Sequence, residues 1–123
     1  MSYCVDIVRV YDDPGRQGDE YRVLVDRLWP RGQSREAIDR DEWANDAAPS
    51  TGLRRWYAHD PVRFAEFSRR YRVELGLPPG ADVVSGLRRL SKSRRLVLLT
   101  ATRDVAHSAA TVLREVIVGT ADS

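Results

Sequence analysis

The sequence has only one cysteine, Cys4, so an internal disulfide is excluded and a reducing compartment is favoured. The first residues lack the basic segment and apolar core of a signal peptide. No apolar run approaches the roughly 20 residues that a membrane-spanning helix needs. We therefore expect a cytoplasmic protein that makes no contact with a membrane.

Lysine is also nearly absent: it occurs once, at Lys92, and all the other residues among the 20 basic ones are arginine. Arginine presents a planar fork that suits carboxylate and phosphate groups, but arginine-rich codon usage would explain the same composition. The formal net charge is only +2, so bulk charge gives no argument for binding to nucleic acid or membranes.

The usual signatures of metal and cofactor chemistry are missing. His59, His107 and Cys4 are too far apart in sequence for a zinc site. There is no glycine-rich phosphate loop and no Gly-x-Ser-x-Gly elbow. We therefore expect no metal and no cofactor, although the many Asp and Glu residues leave a carboxylate-rich metal site open.

The 123 residues fit one domain, with an ordered core over 5–119 and a frayed tail over 120–123. β-Branched or continuous apolar runs predict strands over 5–11, 21–28 and 95–101. The last of these runs is typical of a strand buried on both faces of a parallel sheet. The segment 12–20 contains Pro14, Gly15 and Gly18 and is predicted to be a loop.

Apolar residues at helical spacing, together with capping residues, predict five helices. Two are short: one within 34–46, with Ser34 as N-cap and Trp43 facing inward, and one opened by 48–51, with Leu53, Trp56 and Tyr57 on one stripe. The third starts at Asp60-Pro61 and has Phe64, Phe67, Tyr71 and Leu75 inward. The fourth has Val83, Val84, Leu87 and Leu90 inward, and the last is capped by Asp104 and ends at 118. Strands early and late with helices between them predict a small layered α/β domain, with a short, mostly parallel sheet flanked by helices.

The end of the second strand is the first candidate site. Asp26 and Arg27 follow a strand-forming run, and Trp29, Arg31 and Gly32 lie just beyond it. α/β proteins line ligand crevices at such strand ends. An Asp–Arg pair that only braces the loop is an equally good interpretation.

Two histidines are candidates for acid–base chemistry. The third strand leads through Arg103 to a predicted helix N-terminus, where free N–H groups favour an anion and where His107 should stay neutral. His59 precedes Asp60-Pro61 and could act as a general acid or base. For each histidine, a capping or packing role explains the residue as well.

The chain resembles the domain-of-unknown-function family 488, in its YeaO-like branch. The resemblance runs from about residue 7 to residue 117. The residues that carry it are Arg9-Val10-Tyr11-Asp12, Tyr21-Arg22-Val23-Leu24-Val25-Asp26-Arg27-Leu28-Trp29-Pro30-Arg31-Gly32, Asp46, Ala48-Pro49-Ser50, Leu53-Arg54, Trp56, His59-Asp60-Pro61, Phe67, Arg70-Tyr71, Leu98-Leu99, Arg103-Asp104, His107 and Val112-Leu113.

This resemblance implies a compact α/β fold and a polar pocket where strand ends meet, and it adds Arg9 and Ser50 to the candidates. The family has no established reaction, so the resemblance implies none. Other branches resembling this family place cysteine and additional histidine where this chain has Thr100, Ser108 and Ala109. A thiol- or metal-based role borrowed from those branches is therefore not expected here.

Three functional hypotheses follow. The first is a small enzyme or sensor for a phosphorylated or carboxylated small molecule. Its catalytic candidates are Asp26, His59 and His107, and its ligand-binding candidates are Arg9, Arg27, Trp29, Arg31, Ser50 and Arg103. The second is a protein- or nucleic-acid-binding module using surface arginines at positions 69, 72, 88, 89, 94 and 95. The third is a structural or regulatory domain. The sequence leaves open whether the protein is an enzyme and what its oligomeric state is.

Overall fold

The computed structural model describes residues 3–119. Four strands and four α-helices follow one another along the chain: β1 (Val5–Arg9), β2 (Glu20–Leu24), β3 (Glu42–Trp43), α1 (Thr51–Tyr57), α2 (Phe64–Leu75), α3 (Gly80–Ser91), β4 (Arg95–Thr100) and α4 (Ala109–Val118). Short 3-10 turns lie at Val10–Asp12, Asn45–Ala47, Pro61–Arg63 and Val105–His107. The tail predicted over 120–123 lies outside the described residues.

The strands form one sheet in the order β1-β4-β2-β3, and each of its described pairings is parallel. β4 lies between β1 and β2, so Leu98 faces Ile7 on one side and Val23 on the other. A strand in this position is buried on both faces, which is why its residues from Leu96 to Leu99 are all apolar. The predicted α/β fold with a mostly parallel sheet is confirmed.

The two faces of the sheet are covered differently. Leu96 and Leu98 of β4 pack into the main core, to which all four α-helices contribute. The neighbouring residues Val97 and Leu99 point to the opposite face, because side chains alternate along a strand. There they form a smaller core with Ile38 and the two tryptophans Trp29 and Trp43. Irregular chain, instead of a helix, therefore covers the second face.

A buried cation lies on this helix-free face. Arg22 of β2 is 1% exposed, and its guanidinium pairs with Glu20 and Asp13 and donates to the backbone oxygen of Asp39. The backbone N–H of Arg22 also donates to the carboxylate of Asp41 at 2.9 Å. These bonds attach the segments on either side of β2 to the sheet.

The prediction of a helix within 34–46 is wrong. The N–H of Asp41 donates to the oxygen of Arg22 at 2.7 Å, and that of Ala44 to the oxygen of Leu24 at 2.8 Å. These amides bind the neighbouring strand, so they are not available for the i→i−4 bonds of a helix. Ser34 caps only a single turn, through the N–H of Ala37. Trp43 does pack inward, but from β3.

The other predicted helices are present, with one corrected start. The predicted inward stripes of α1, α2 and α3 all pack in or against the main core. The last helix begins at Ala109, not at Asp104, because Asp104 makes no capping hydrogen bond and Ser108 accepts from the N–H of Thr111 instead. The first two predicted strands are also shorter than expected at their carboxyl ends: the chain turns at Val10, and β2 ends at Leu24. Within 3–119, no helix combines the length and apolar character needed to cross a membrane.

Replacing Arg22 with alanine should leave the carboxylates of Glu20 and Asp13 without their main partner on the helix-free face. We expect the free energy of unfolding to fall by about 3–5 kcal/mol, because an uncompensated buried charge is costly. Urea denaturation followed by circular dichroism measures this. The control Arg89→Ala removes an exposed arginine of α3 and should change stability by less than about 0.5 kcal/mol. A loss below about 1 kcal/mol for Arg22→Ala would show that the ion network is not needed for folding.

Candidate functional site

A cavity of about 540 Å³ opens at the carboxyl ends of β2 and β4. In parallel sheets, ligand crevices form at this edge because the loops that follow neighbouring strands meet there. The residues lining it are Asp26, Arg27, Leu28, Trp29, Pro30, Arg31, Pro49, Arg54, Tyr57, His59, Phe67, Ala101, Thr102, Arg103, Asp104, Ser108 and Ala109. The loop after β2, helix α1, the turn after it and the loop after β4 all contribute.

Asp26 lies between the two strand ends. One of its oxygens accepts from the hydroxyl of Thr100 and the other from the N–H of Ala101, both at 2.7 Å. Burial raises the pKa of this carboxyl above its ordinary value, although the two hydrogen bonds favour the ionised form and oppose that shift. Asp26 is thus oriented by β4 and holds the two loops together at the floor of the cavity.

Four arginines reach the cavity from different segments. Arg27 donates through Nε to the oxygen of Pro49 at 2.8 Å, whereas Arg31 and Arg103 are exposed. The Nε of Arg54 is buried and has no hydrogen-bond partner among the described residues. Within residues 3–119, none of these four arginines forms an ion pair with a carboxylate. Arg27 also donates through Nη2 to the oxygen of Ala48 at 3.4 Å. Its remaining N–H groups and those of Arg31, Arg54 and Arg103 are available to a ligand.

His59 lines the cavity and has a sterically unfavourable backbone conformation. Helix α1 ends at Tyr57, and the next two residues, Ala58 and His59, have φ angles of 49° and 57°. Positive φ angles are uncommon outside glycine and cost free energy in other residues. The turn is held by Asp60, whose carboxylate accepts from the N–H of Val62, and by Pro61. Strain of this kind often occurs at functional sites.

The apolar wall of the cavity includes Trp29, whose ring is held on several sides. Its Nε1 donates to the oxygen of Gln33 at 2.7 Å, and its ring lies edge-on to Trp43 at 5.3 Å between centroids. The guanidinium carbons of Arg35 and Arg40 lie 4.7 and 4.6 Å from the ring centre of Trp29. Such cation–π contacts further restrict the ring, so this wall is preformed.

Six of the nine residues predicted as catalytic or ligand-binding line this cavity: Asp26, Arg27, Trp29, Arg31, His59 and Arg103. The structure does not bring Arg9, Ser50 or His107 into the lining. Arg9 lies over the ring of Tyr11 at the end of β1. Ser50 caps α1 and binds the carboxylate of Glu74, next to a smaller cavity of about 390 Å³. The roles assigned to all nine residues remain predictions.

His107 differs most from its expected position. It lies in a 3-10 turn before α4 and not in the first turn of that helix, so the helix-dipole argument made from the sequence does not apply. Its Nδ1 lies 2.8 Å from a carboxylate oxygen of Asp104, and its backbone oxygen accepts from the hydroxyl of Tyr57. His107 therefore lies behind Tyr57 and contacts two lining residues of the cavity, Tyr57 and Asp104.

Sequence reasoning missed Arg54 and Tyr57 as lining residues. Both belong to α1, three residues apart, so they share a face of the helix. That spacing was a usable signal, because Tyr57 was already placed on the buried stripe and Arg54 borders it. In the described part of the chain, no group of three or more His, Cys, Asp or Glu side chains could hold a metal ion.

The parallel sheet and its strand-end cavity define a small α/β protein with a candidate ligand site. The chain belongs to the DUF488 family, since residues 4–123 match the family model described as "Inactive DUF488-N3 subclade". It is 42% identical to the uncharacterized protein Rv3073c of Mycobacterium tuberculosis over 115 residues, which cover 94% of each chain. It is 37% identical over 107 residues to the uncharacterized protein YeaO of Escherichia coli, covering 87% of this chain and 90% of YeaO. No solved structure matches the chain significantly. The predicted family is confirmed.

Replacing Ala58 with glycine should stabilise the protein. Glycine adopts the left-handed conformation without the steric cost that alanine bears, so we expect the free energy of unfolding to rise by about 1 kcal/mol. Urea denaturation measures the change. Ala65→Gly, at an exposed position in α2, is the matched control and should lower stability by up to about 1 kcal/mol. If both variants lose stability, the strain assigned to the turn before His59 is absent.

Proposed function

We propose that the protein binds an anionic small molecule, phosphorylated or carboxylated, in the strand-end cavity. The observation that carries this proposal is the set of four arginines, Arg27, Arg31, Arg54 and Arg103, which line one cavity and have no carboxylate partner among residues 3–119. Clustered cations repel one another, and an oxyanion removes that repulsion while accepting charge-assisted hydrogen bonds. The orphaned Nε of Arg54 gives such an anion an additional donor to satisfy.

We further propose that the protein binds its ligand without converting it. The matched subclade is described as inactive. Two of the polar groups near the cavity floor are already committed to the fold: Asp26 is held by Thr100 and Ala101, and the hydroxyl of Tyr57 donates to the oxygen of His107. Burial raises the pKa of Tyr57, so its hydroxyl stays protonated and does not accept a proton. His59 is then the remaining acid–base candidate, and it serves as a donor to the bound anion.

The alternative of a nucleic-acid-binding module has less support. Of the surface arginines it would use, Arg69 pairs with Glu66, Arg72 with Glu115, Arg94 with Asp19 and Arg95 with Asp6. Arg88 donates to backbone oxygens at the end of α4. Since most of this patch is neutralised by the protein itself, it offers little free charge to a phosphate backbone.

We place the binding function in the cytoplasm, in keeping with the single cysteine.

Titration of the protein with inorganic phosphate, followed by amide and arginine Nε signals in NMR spectra, tests this function. We expect the signals of Thr102, Arg103 and the Nε–H of Arg54 to shift together. The variant Arg54→Ala should bind phosphate about tenfold more weakly, which corresponds to about 1.4 kcal/mol for a lost charge-assisted hydrogen bond. The variant Arg31→Ala, at an exposed position, should weaken binding in the same direction without loss of stability.

The neighbouring residue provides the control for this titration. Arg55 follows Arg54 in α1 but is exposed and does not line the cavity, so Arg55→Ala should bind phosphate as the parent protein does. Equal weakening by Arg54→Ala and Arg55→Ala would mean that phosphate responds only to net charge. The absence of any shift at the cavity would contradict the proposed function.

A further inference from the structure

The charges around the cavity are unbalanced. Four arginines and two aspartates line it, so positive charges exceed negative ones by two when His59 is neutral. Both aspartates are already engaged: Asp26 by Thr100 and Ala101, and Asp104 by the ring of His107. Neither is ion-paired with a cavity arginine, so the excess positive charge favours an anionic ligand.

The arginines also approach from separate directions along the chain. Arg27 comes from the loop after β2, Arg54 from α1 and Arg103 from the loop after β4. A tetrahedral phosphate offers three oxygens that point in different directions, whereas a single carboxylate offers two oxygens in one plane. Donors that reach one cavity from three segments therefore fit a phosphate group better.

Part of the remaining wall is apolar. Trp29, Leu28 and Phe67 line the cavity together with Pro30, Pro49 and Ala109. Leu28 is 60% exposed although it is a large hydrophobic residue. A ligand that consisted of an anion alone would leave this surface in water, whereas an apolar or aromatic body would cover it.

We infer that the ligand of this cavity is a phosphomonoester dianion carried on an apolar or aromatic body. This inference rests on the proposed function, which requires only that an anion binds. It adds two requirements that can be measured separately: two negative charges on the head and apolar surface on the body. Phenyl phosphate is the simplest molecule that meets both.

The charge requirement can be tested with two esters of nearly the same shape. At pH 8 phenyl phosphate is a dianion, because its second pKa lies near 6, whereas phenyl sulfate carries one charge. We expect isothermal titration calorimetry to show phenyl phosphate binding at least tenfold more tightly than phenyl sulfate. Equal affinities would overturn the dianion inference while leaving anion binding in place. Failure of both esters to bind would overturn the proposed function as well.

Variants link this preference to the cavity. Arg103→Ala, at an exposed position, should reduce the ratio of the two affinities about threefold or more, because the charge excess falls from two to one. Arg55→Ala should leave the ratio unchanged. If both variants change the ratio equally, the preference arises from overall charge and the inference is wrong.

The apolar body has its own test. Phenyl phosphate should bind at least fivefold more tightly than inorganic phosphate at pH 8, where both are mostly dianions. Leu28→Ala should reduce the affinity for phenyl phosphate about threefold and leave that for inorganic phosphate unchanged, since only the ring would contact this side chain. Equal binding of the two phosphates, or an equal effect of Leu28→Ala on both, would remove the apolar body from the inference.

Discussion

Arg22 is buried on the face of the sheet that no helix covers, and the architecture of that face depends on its guanidinium. The two carboxylates that pair with it, Glu20 and Asp13, come from β2 itself and from the loop before it. Its bond to the oxygen of Asp39 adds the segment that precedes β3. Moving a guanidinium out of water is costly, and these partners together offset that cost. Irregular chain is thereby held over Val97 and Leu99, which need cover as much as the residues on the helical face do.

The segment that closes this face also builds the cavity. Between β2 and β3 the chain supplies Arg27, Trp29 and Arg31 to the lining, and it returns to the sheet at Trp43. The indole N–H of Trp43 donates to the backbone oxygen of Asp26 at 2.7 Å. Covering the sheet and positioning the site are therefore two results of one set of contacts. Substitutions in the ion network are expected to disturb both.

Two features of the cavity are energetically unfavourable on their own. The four cavity arginines, which have no carboxylate partner within 3–119, repel one another, and Ala58 and His59 hold left-handed backbone conformations. Packing of the sheet against the helices in the core must offset the free-energy cost of these features. A ligand that neutralises the arginines would return part of it, because binding to the folded state alone raises stability.

Local patterns in the sequence were enough for elements whose partners are close in the chain. The apolar stripe of α2 and the Asp60-Pro61 start before it were predicted correctly, and so was the buried strand β4. Six of the nine site candidates line one cavity, because parallel strands bring their carboxyl ends to the same edge of the sheet.

The contacts between distant segments were decided only by the tertiary structure. The spacing of residues 34–46 is compatible with a helix, yet the amides of Asp41 and Ala44 donate to backbone oxygens of β2. Asp104 and Ser108 are both good capping residues, and the choice of Ser108 follows from the turn that places His107 behind Tyr57. In the described part of the chain no carboxylate pairs with Arg54, and this too is invisible in the sequence, which contains 18 acidic residues. Residue type and spacing determine local conformation, whereas pairing depends on which side chains the folded backbone brings within reach.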